Sequence, residues 1–185
     1  MTTCIALLRG INVGRAKRIA MADLRALFEA LGHGNVRTLL NSGNVVFEAN
    51  AAEVGTWARA IEAAIVAEFG FAVAVVVLEA EVLAEIIRDN PFRVDAAAQS
   101  KFLVGFVSSA TTLDQARPLL ARDWVPDAFA IGTRAVYLGC ADGILESPLF
   151  SAFERATQGA ATSRNWATVL KLGSAAGLDA AREGQ

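Results

Sequence analysis

Two rhythms of apolar and polar positions run along the chain. Residues 3–8 form a short apolar run of strand character. Residues 21–31 then place Met21, Leu24, Leu27, Phe28 and Leu31 at the three-and-four spacing of a helix, which Gly32 stops. Residues 36–40 and 44–48 return to strand composition around Asn41-Ser42-Gly43, where the glycine can take positive φ in a tight hairpin. Residues 53–69 carry Val54, Trp57, Ala58, Ile61, Ala64 and Ile65 on one stripe of a longer helix, and residues 71–78 are rich in β-branched side chains. The order β-α-β-β-α-β is the split-βαβ pattern of ferredoxin-like folds, with an antiparallel sheet and both helices on one face.

A helix over 80–89 ends at Asn90-Pro91, and the polar stretch to Ser100 serves as a linker. The pattern then restarts. Residues 101–107 read as a strand, Thr112-Leu113-Asp114-Gln115 as a capping box opening a helix that Pro118 must bend or shorten, and 127–131 and 135–139 as strands. Ser147-Pro148 starts a helix carrying Leu149, Phe150 and Phe153, and a last helix is expected from about Ser163 to Ala176. The fold class is α+β, with a βαββαβ subdomain over 1–78, a helix and linker over 79–100, and an incomplete βαββα subdomain with a terminal helix over 101–185. At most a strand stub is expected near 160–162. In the strand over 71–78 the two alternating residue sets are both apolar, so both sheet faces call for burial, against the other half or another chain.

Composition narrows the setting. Hydrophobic residues make up 54% and mean hydropathy is +0.40, but alanine supplies much of this and no run approaches the ~18 apolar residues of a membrane span. Arg9 follows the first apolar run with no charged leader before it, which is unlike a signal peptide. Cys4 and Cys140 are too few for a disulfide framework, and a cytoplasmic location is expected. With one histidine, His33, and two distant cysteines there is no cluster of zinc-ligand spacing, and neither metal nor cofactor is expected. His33 lies in Gly32-His33-Gly34 and reads as an exposed turn residue. Charge is uneven: residues 1–50 hold six bases against three acids, whereas residues 51–90 hold two bases against seven acids. The asymmetry gives one basic end and one acidic flank, a statement about partners more than about fold.

Three segments carry a family resemblance. They are Ala6-Leu-Leu-Arg-Gly-Ile-Asn-Val-Gly14 followed by Met21-Ala-Asp-Leu-Arg25; Val36-Arg-Thr38 followed by Asn41-Ser-Gly-Asn-Val-Val-Phe47; and Thr162-Ser-Arg-Asn-Trp-Ala-Thr-Val-Leu-Lys-Leu172. Over its whole length the chain resembles the bacterial family catalogued as domain of unknown function 1697. The resemblance implies a compact α+β fold with ferredoxin-like subdomains and brings no activity, substrate or cofactor. Arg15, Ala167 and Pro148 depart from the pattern, standing where a glycine, a polar residue and a lysine are usual.

The segment Arg9-Gly-Ile-Asn-Val-Gly-Arg-Ala-Lys-Arg18 leaves a strand and enters a helix with four positive charges, two glycines and no acid. Such loops suit anions, because unpaired amides and the helix dipole point at the ligand. The glycine spacing fits neither a P-loop nor a dinucleotide fingerprint. In a ferredoxin-like sheet this loop meets the 41–44 hairpin, so Arg9, Gly10, Asn12, Gly14, Lys17, Asn41, Ser42 and Asn44 form one candidate surface for a phosphate, a carboxylate or a nucleic-acid backbone. On the expected last helix, Arg164, Asn165 and Lys171 are further candidates. Arg164 would sit at a helix start, where a cation is disfavoured without a compensating anion. Phe102, Phe106 and Tyr137 could be compared with the stacking rings of RNA-recognition domains, but their apolar surroundings favour a core role. The leading reading is a binding module for an anionic ligand, either a phosphate-containing small molecule or nucleic acid, with no membrane partner. The second is an interaction or structural protein using the acidic 51–90 surface, and the third an enzyme with Ser42 or Cys4 as nucleophile. No oligomeric state follows from the sequence.

Overall fold

The computed structural model describes residues 1–50 and 54–178; residue 53, the expected start of the second helix, lies outside the described residues. The chain divides into two compact units, Met1–Leu83 with Leu172–Gln185, and Ala84–Lys171. The first unit runs β1 (Thr2–Leu8), α1 (Met21–Ala30), β2 (Gly34–Leu39), β3 (Asn44–Ala49), α2 (Val54–Phe69) and β4 (Val75–Glu79). Its strands pair antiparallel throughout in the order β2-β3-β1-β4, the expected ferredoxin-like arrangement.

Strand alternation explains the packing of this unit. Cys4, Ala6 and Leu8 of β1, Val45 and Phe47 of β3 and Val75 of β4 turn to one face. There they meet Leu24, Leu27 and Phe28 of α1 and Ile61 and Ile65 of α2 in one apolar cluster. The intervening residues Ile5, Leu7, Val46, Val76 and Leu78 are buried as well, so apolar residues are withdrawn from water on both faces, as the sequence required.

His33 departs from its expected exposure. Only 6% of it is exposed, and its ring is centred 4.4 Å from that of Trp57, 4.5 Å from Phe47 and 5.7 Å from Phe28. A turn-forming backbone does not prevent the side chain from folding inward. Here three aromatic rings distant in sequence supply an apolar pocket for it. Its Nε2 and the Trp57 Nε1 make no hydrogen bond. Burial pushes the imidazole below its ordinary pKa of 6.5, because nothing beside it repays the desolvation of a charged ring.

The second unit contains β5 (Phe102–Val107), α4 (Ala110–Ala116), a 3-10 turn (Arg117–Ala121), β6 (Ala128–Ile131), β7 (Ala135–Gly139), α5 (Pro148–Thr157) and β8 (Ala161–Asn165). Two further helices, α3 (Ala80–Arg88) and α6 (Trp166–Ala175), contain the unit boundaries. The sheet order β6-β7-β5-β8 repeats that of the first unit. The incomplete βαββα expected here is therefore corrected to a complete βαββαβ. The residues expected to open the last helix form β8, and the helix begins only at Trp166. Nor does Thr112 cap α4: Ser109 does, its hydroxyl accepting from Thr112 N, while Pro118 falls in the 3-10 turn.

Leu103, Val136, Leu138, Leu149 and Phe153 make the helix-side core of this unit. On the other face Phe102, Phe106 and Tyr137 are all buried, and the Tyr137 hydroxyl donates to Ile86 O at 2.7 Å. Burial pushes that phenol up to about 12. Trp166 is buried, edge-on to Phe102 with ring centroids 5.8 Å apart. Thr168 and Val169 are buried too, and Leu170 is half-buried. Among the described residues, no helix is long and apolar enough to cross a membrane.

Two stability outcomes follow. Trp166→Ala should cost ~3–5 kcal/mol, the usual range for truncating a buried aromatic, read as a lowered urea midpoint at unchanged slope. An unchanged midpoint would place the ring outside the core. His33, with a folded pKa below that of the unfolded chain, binds fewer protons when folded. Its contribution is therefore intact above the ordinary imidazole value and is lost as pH falls through that value toward the folded one, at most ~1.4 kcal/mol per pH unit. His33→Phe should flatten the fall in stability as pH drops below the ordinary imidazole value of 6.5; an unaltered slope would assign that dependence to other groups.

Candidate functional site

The chain leaves the sheet at the end of central strand β1, and the β2–β3 hairpin closes beside it. Leu8 N donates to Gly43 O at 2.8 Å and Arg9 N to Ala74 O at 2.9 Å, so the loop leaving β1 is held from both sides. Gly43 has φ +75°, and a Cβ there would lie 2.7 Å from Leu8 Cβ and 2.9 Å from Ile11 Cδ1. Both the backbone conformation and the space demand glycine.

Asn12 then organises the loop. Its Nδ2 donates to Ile19 O at 2.9 Å and to Asn41 O at 2.8 Å, and its Oδ1 accepts from Ile19 N at 3.0 Å. Its backbone N donates to Lys17 O at 3.0 Å, closing the 12–17 turn. Asn12 has φ +57°, a conformation asparagine tolerates better than most side chains. The expected meeting of the 9–18 loop and the hairpin therefore exists, and one side-chain amide makes it.

Several of the predicted site residues are engaged in building this loop. Asn44 is fully buried, its Nδ2 donating to Leu39 O and Ser42 Oγ, both at 2.9 Å. Lys17 Nζ reaches Ala72 O at 2.9 Å from an exposed position. Gly10 and Gly14 take positive φ with open space around them, and Asn41 and Ser42 are exposed. Arg9 is half-buried, while Arg15 and Arg18 are exposed. The Arg18 guanidinium donates to Gly14 O at 3.1 Å.

A concavity of about 400 Å³ opens between this loop and α1, lined by Asn12, Arg18, Ile19, Ala20, Met21 and Asn41. Ala20 stands at the N-cap of α1, and no side chain caps the first turn. The helix thus presents amide donors and the positive end of its dipole beside Arg18, with one acid, Asp23, in that first turn. Arg18 and Ala20 were not singled out in the sequence. The available signal was an alanine standing where serine, threonine, aspartate or asparagine usually precedes a helix.

The remaining predicted residues, Arg164, Asn165 and Lys171, belong to the second unit. Arg164 is not at a helix start. It lies in β8 opposite Val104, and its guanidinium donates to Ser163 O at 2.9 Å. Arg164 is half-buried, and desolvation pushes its guanidinium down to about 10, leaving it protonated at neutral pH. The cap role falls to Asn165, whose Oδ1 accepts from Thr168 N at 2.9 Å. Lys171 is exposed on α6.

Of the two nucleophiles considered for an enzyme, Cys4 is disfavoured as a thiolate. Cys4 is fully buried, and its thiol is pushed up to about 11, first by burial and then by Glu79 and Glu81. Cys140 is also raised, chiefly by burial. Near it, buried Asp127 accepts from Ser147 Oγ at 2.7 Å and from Ala141 N at 2.9 Å, and Ser147 Oγ accepts from Phe150 N at 2.9 Å. That cluster caps α5 and pins the preceding loop. Among the described residues, no three of His, Cys, Asp and Glu gather as metal ligands would.

A family model described as a protein of unknown function (DUF1697) matches residues 1–137. The solved structure of conserved bacterial protein SP0830 from Streptococcus pneumoniae is similar at TM-score 0.70 and 21% identity, covering 95% of this chain and 98% of that one. At that identity the likeness shows the fold. No curated protein matches the chain.

Asn12→Ala removes three side-chain hydrogen bonds and puts alanine at positive φ, with an expected loss of ~1–3 kcal/mol in urea unfolding. Asn12→Asp keeps the acceptor for Ile19 N but sets a carboxylate oxygen against the carbonyls of Ile19 and Asn41, so it too should be less stable than wild type. Equal stability of all three would show that the loop is held without this amide.

Proposed function

Since the chain belongs to the DUF1697 family of proteins of unknown function, we propose its role from its own chemistry: a binding module for a small phosphate-bearing ligand at the start of α1. The observation carrying this reading is the uncapped first turn of α1 beside Arg18, Asn12 and Asn41 in one concavity. The uncapped amides and the Arg18 guanidinium suit phosphate oxygens without any need for a catalytic base, while Asn12, its amide spent on Ile19 and Asn41, shapes the wall. Arg9, Gly10, Gly14 and Lys17 shape and charge the loop, and Asn44 bonds to Ser42 Oγ within the hairpin beside it. Arg164, Asn165 and Lys171 are left out of the site, because the helix-start argument that recruited Arg164 does not survive its place in β8.

A small ligand is favoured over nucleic acid. Phe102, Phe106 and Tyr137 are buried and so unavailable for base stacking, and the chain carries a net charge of −2. Two buried free cysteines support a reducing, cytoplasmic setting.

Inorganic phosphate is the probe. It should raise the thermal midpoint by mass action, with the gain shrinking as sodium chloride is added. Arg18→Ala should keep its ligand-free midpoint within about a degree of wild type, since an exposed bond to Gly14 O contributes little, and should lose most of the phosphate gain. Absence of any gain in wild type, or a gain that Arg18→Ala retains, would overturn the reading.

A further inference from the structure

We propose that the outer groove between α1 and α2 is a docking site for a basic amphipathic helix of a partner protein. The groove shares no lining residue with the concavity of the phosphate site, although Asp23 lies in the first turn of α1. It measures about 670 Å³ and runs between helix faces set by regular spacing: Asp23, Ala26, Leu27 and Ala30 on α1, and Ala64, Ala67 and Glu68 on α2. Ala26, Ala30 and Ala67 are exposed, while Leu27 and half-buried Phe69 form its apolar floor. Two facing helices with small side chains at their rims leave a trough into which the larger side chains of a third helix can drop, at the close axial distances that alanine permits.

Charge identifies the occupant. The two ionisable residues lining the groove, Asp23 and Glu68, are both acidic and exposed. The nearby base Arg25 is turned to Glu29, at 2.8 Å along the same helix. α2 itself carries two acids, Glu62 and Glu68, against one base, Arg59. A helix with an apolar stripe flanked by lysine or arginine complements both floor and rim; one flanked by acids would meet like charge. Packed alanine faces alone would be satisfied by helix propensity. Acidic rims over an open apolar floor add the selectivity that a partner needs.

The test uses the full chain and a fluorescein-labelled synthetic peptide of about 18 residues, with leucines at i, i+3, i+4 and i+7 and lysines elsewhere. A peptide of the same composition with scattered leucines is the control. Fluorescence anisotropy should show the patterned peptide binding at least ~10-fold more tightly than the control, with affinity falling as salt rises. Ala30→Arg combined with Ala67→Arg places bulk and like charge in the groove at exposed helix positions. This variant should keep the wild-type thermal midpoint and bind ~10-fold more weakly. Asp23→Asn with Glu68→Gln should reduce both affinity and its salt dependence. No binding, equal binding of the scattered peptide, or undiminished binding by the double-arginine variant would each overturn the proposal.

Discussion

The arrangement at the end of β1 in the first unit depends on how closely Gly43 lies against that strand. A carbonyl at 2.8 Å from Leu8 N, with no room for a methyl group beside Leu8 and Ile11, fixes the hairpin to the point where the chain leaves the sheet. The loop that follows has no regular structure to hold it. It borrows order from the hairpin through Asn12, whose single amide touches Ile19 twice and Asn41 once. The start of α1 is thereby positioned without a capping side chain. Preorganisation of this sort is what a polar binding site needs, because donors already aimed lose little freedom when a ligand arrives.

The second unit solves a similar crowding problem inside its sheet. Gly105 lies in the central strand β5, where a Cβ would sit 2.6 Å from Val136 Cγ2 and 2.7 Å from Phe153 Cζ. The missing side chain lets the Phe153 ring of α5 press onto the strand. Asp127 and Ser147 join the α5 cap to the loop after β7 through a carboxylate that accepts at both oxygens. In both units, then, a glycine permits close approach and a short polar side chain ties down the neighbouring loop.

Much of this was legible because apolar spacing is a direct record of burial. Leu24, Leu27 and Phe28 announced α1, and the two apolar residue sets of the strand over 71–78 announced a sheet buried on both faces. Other features depended on contacts that local pattern does not encode. His33 sits in a turn-like Gly-His-Gly, and its burial comes from rings of α1, β3 and α2 that only the fold assembles. Thr162 to Asn165 are polar and include good capping residues, so they resemble the start of a helix. They form an edge strand instead, because β5 offers its free backbone groups there. The candidate site was half legible: the loop and hairpin meet as topology dictates, but which polar groups face inward was decided by Asn12 and Asn44 taking internal partners.

The division of the chain has a consequence for its synthesis. The first unit ends its opening stretch at Leu83 and is resumed at Leu172, so the second unit is an insertion within it. Both crossings fall inside helices, α3 and α6, where each backbone carbonyl is bonded to an amide one turn away. A ribosome that has released the first 83 residues has therefore not released a whole first unit. Its closing segment emerges only after the inserted unit has been completed, and for that interval the early strands must stay out of aggregates. The inserted unit, by contrast, is contiguous, and it is the part that can finish folding first.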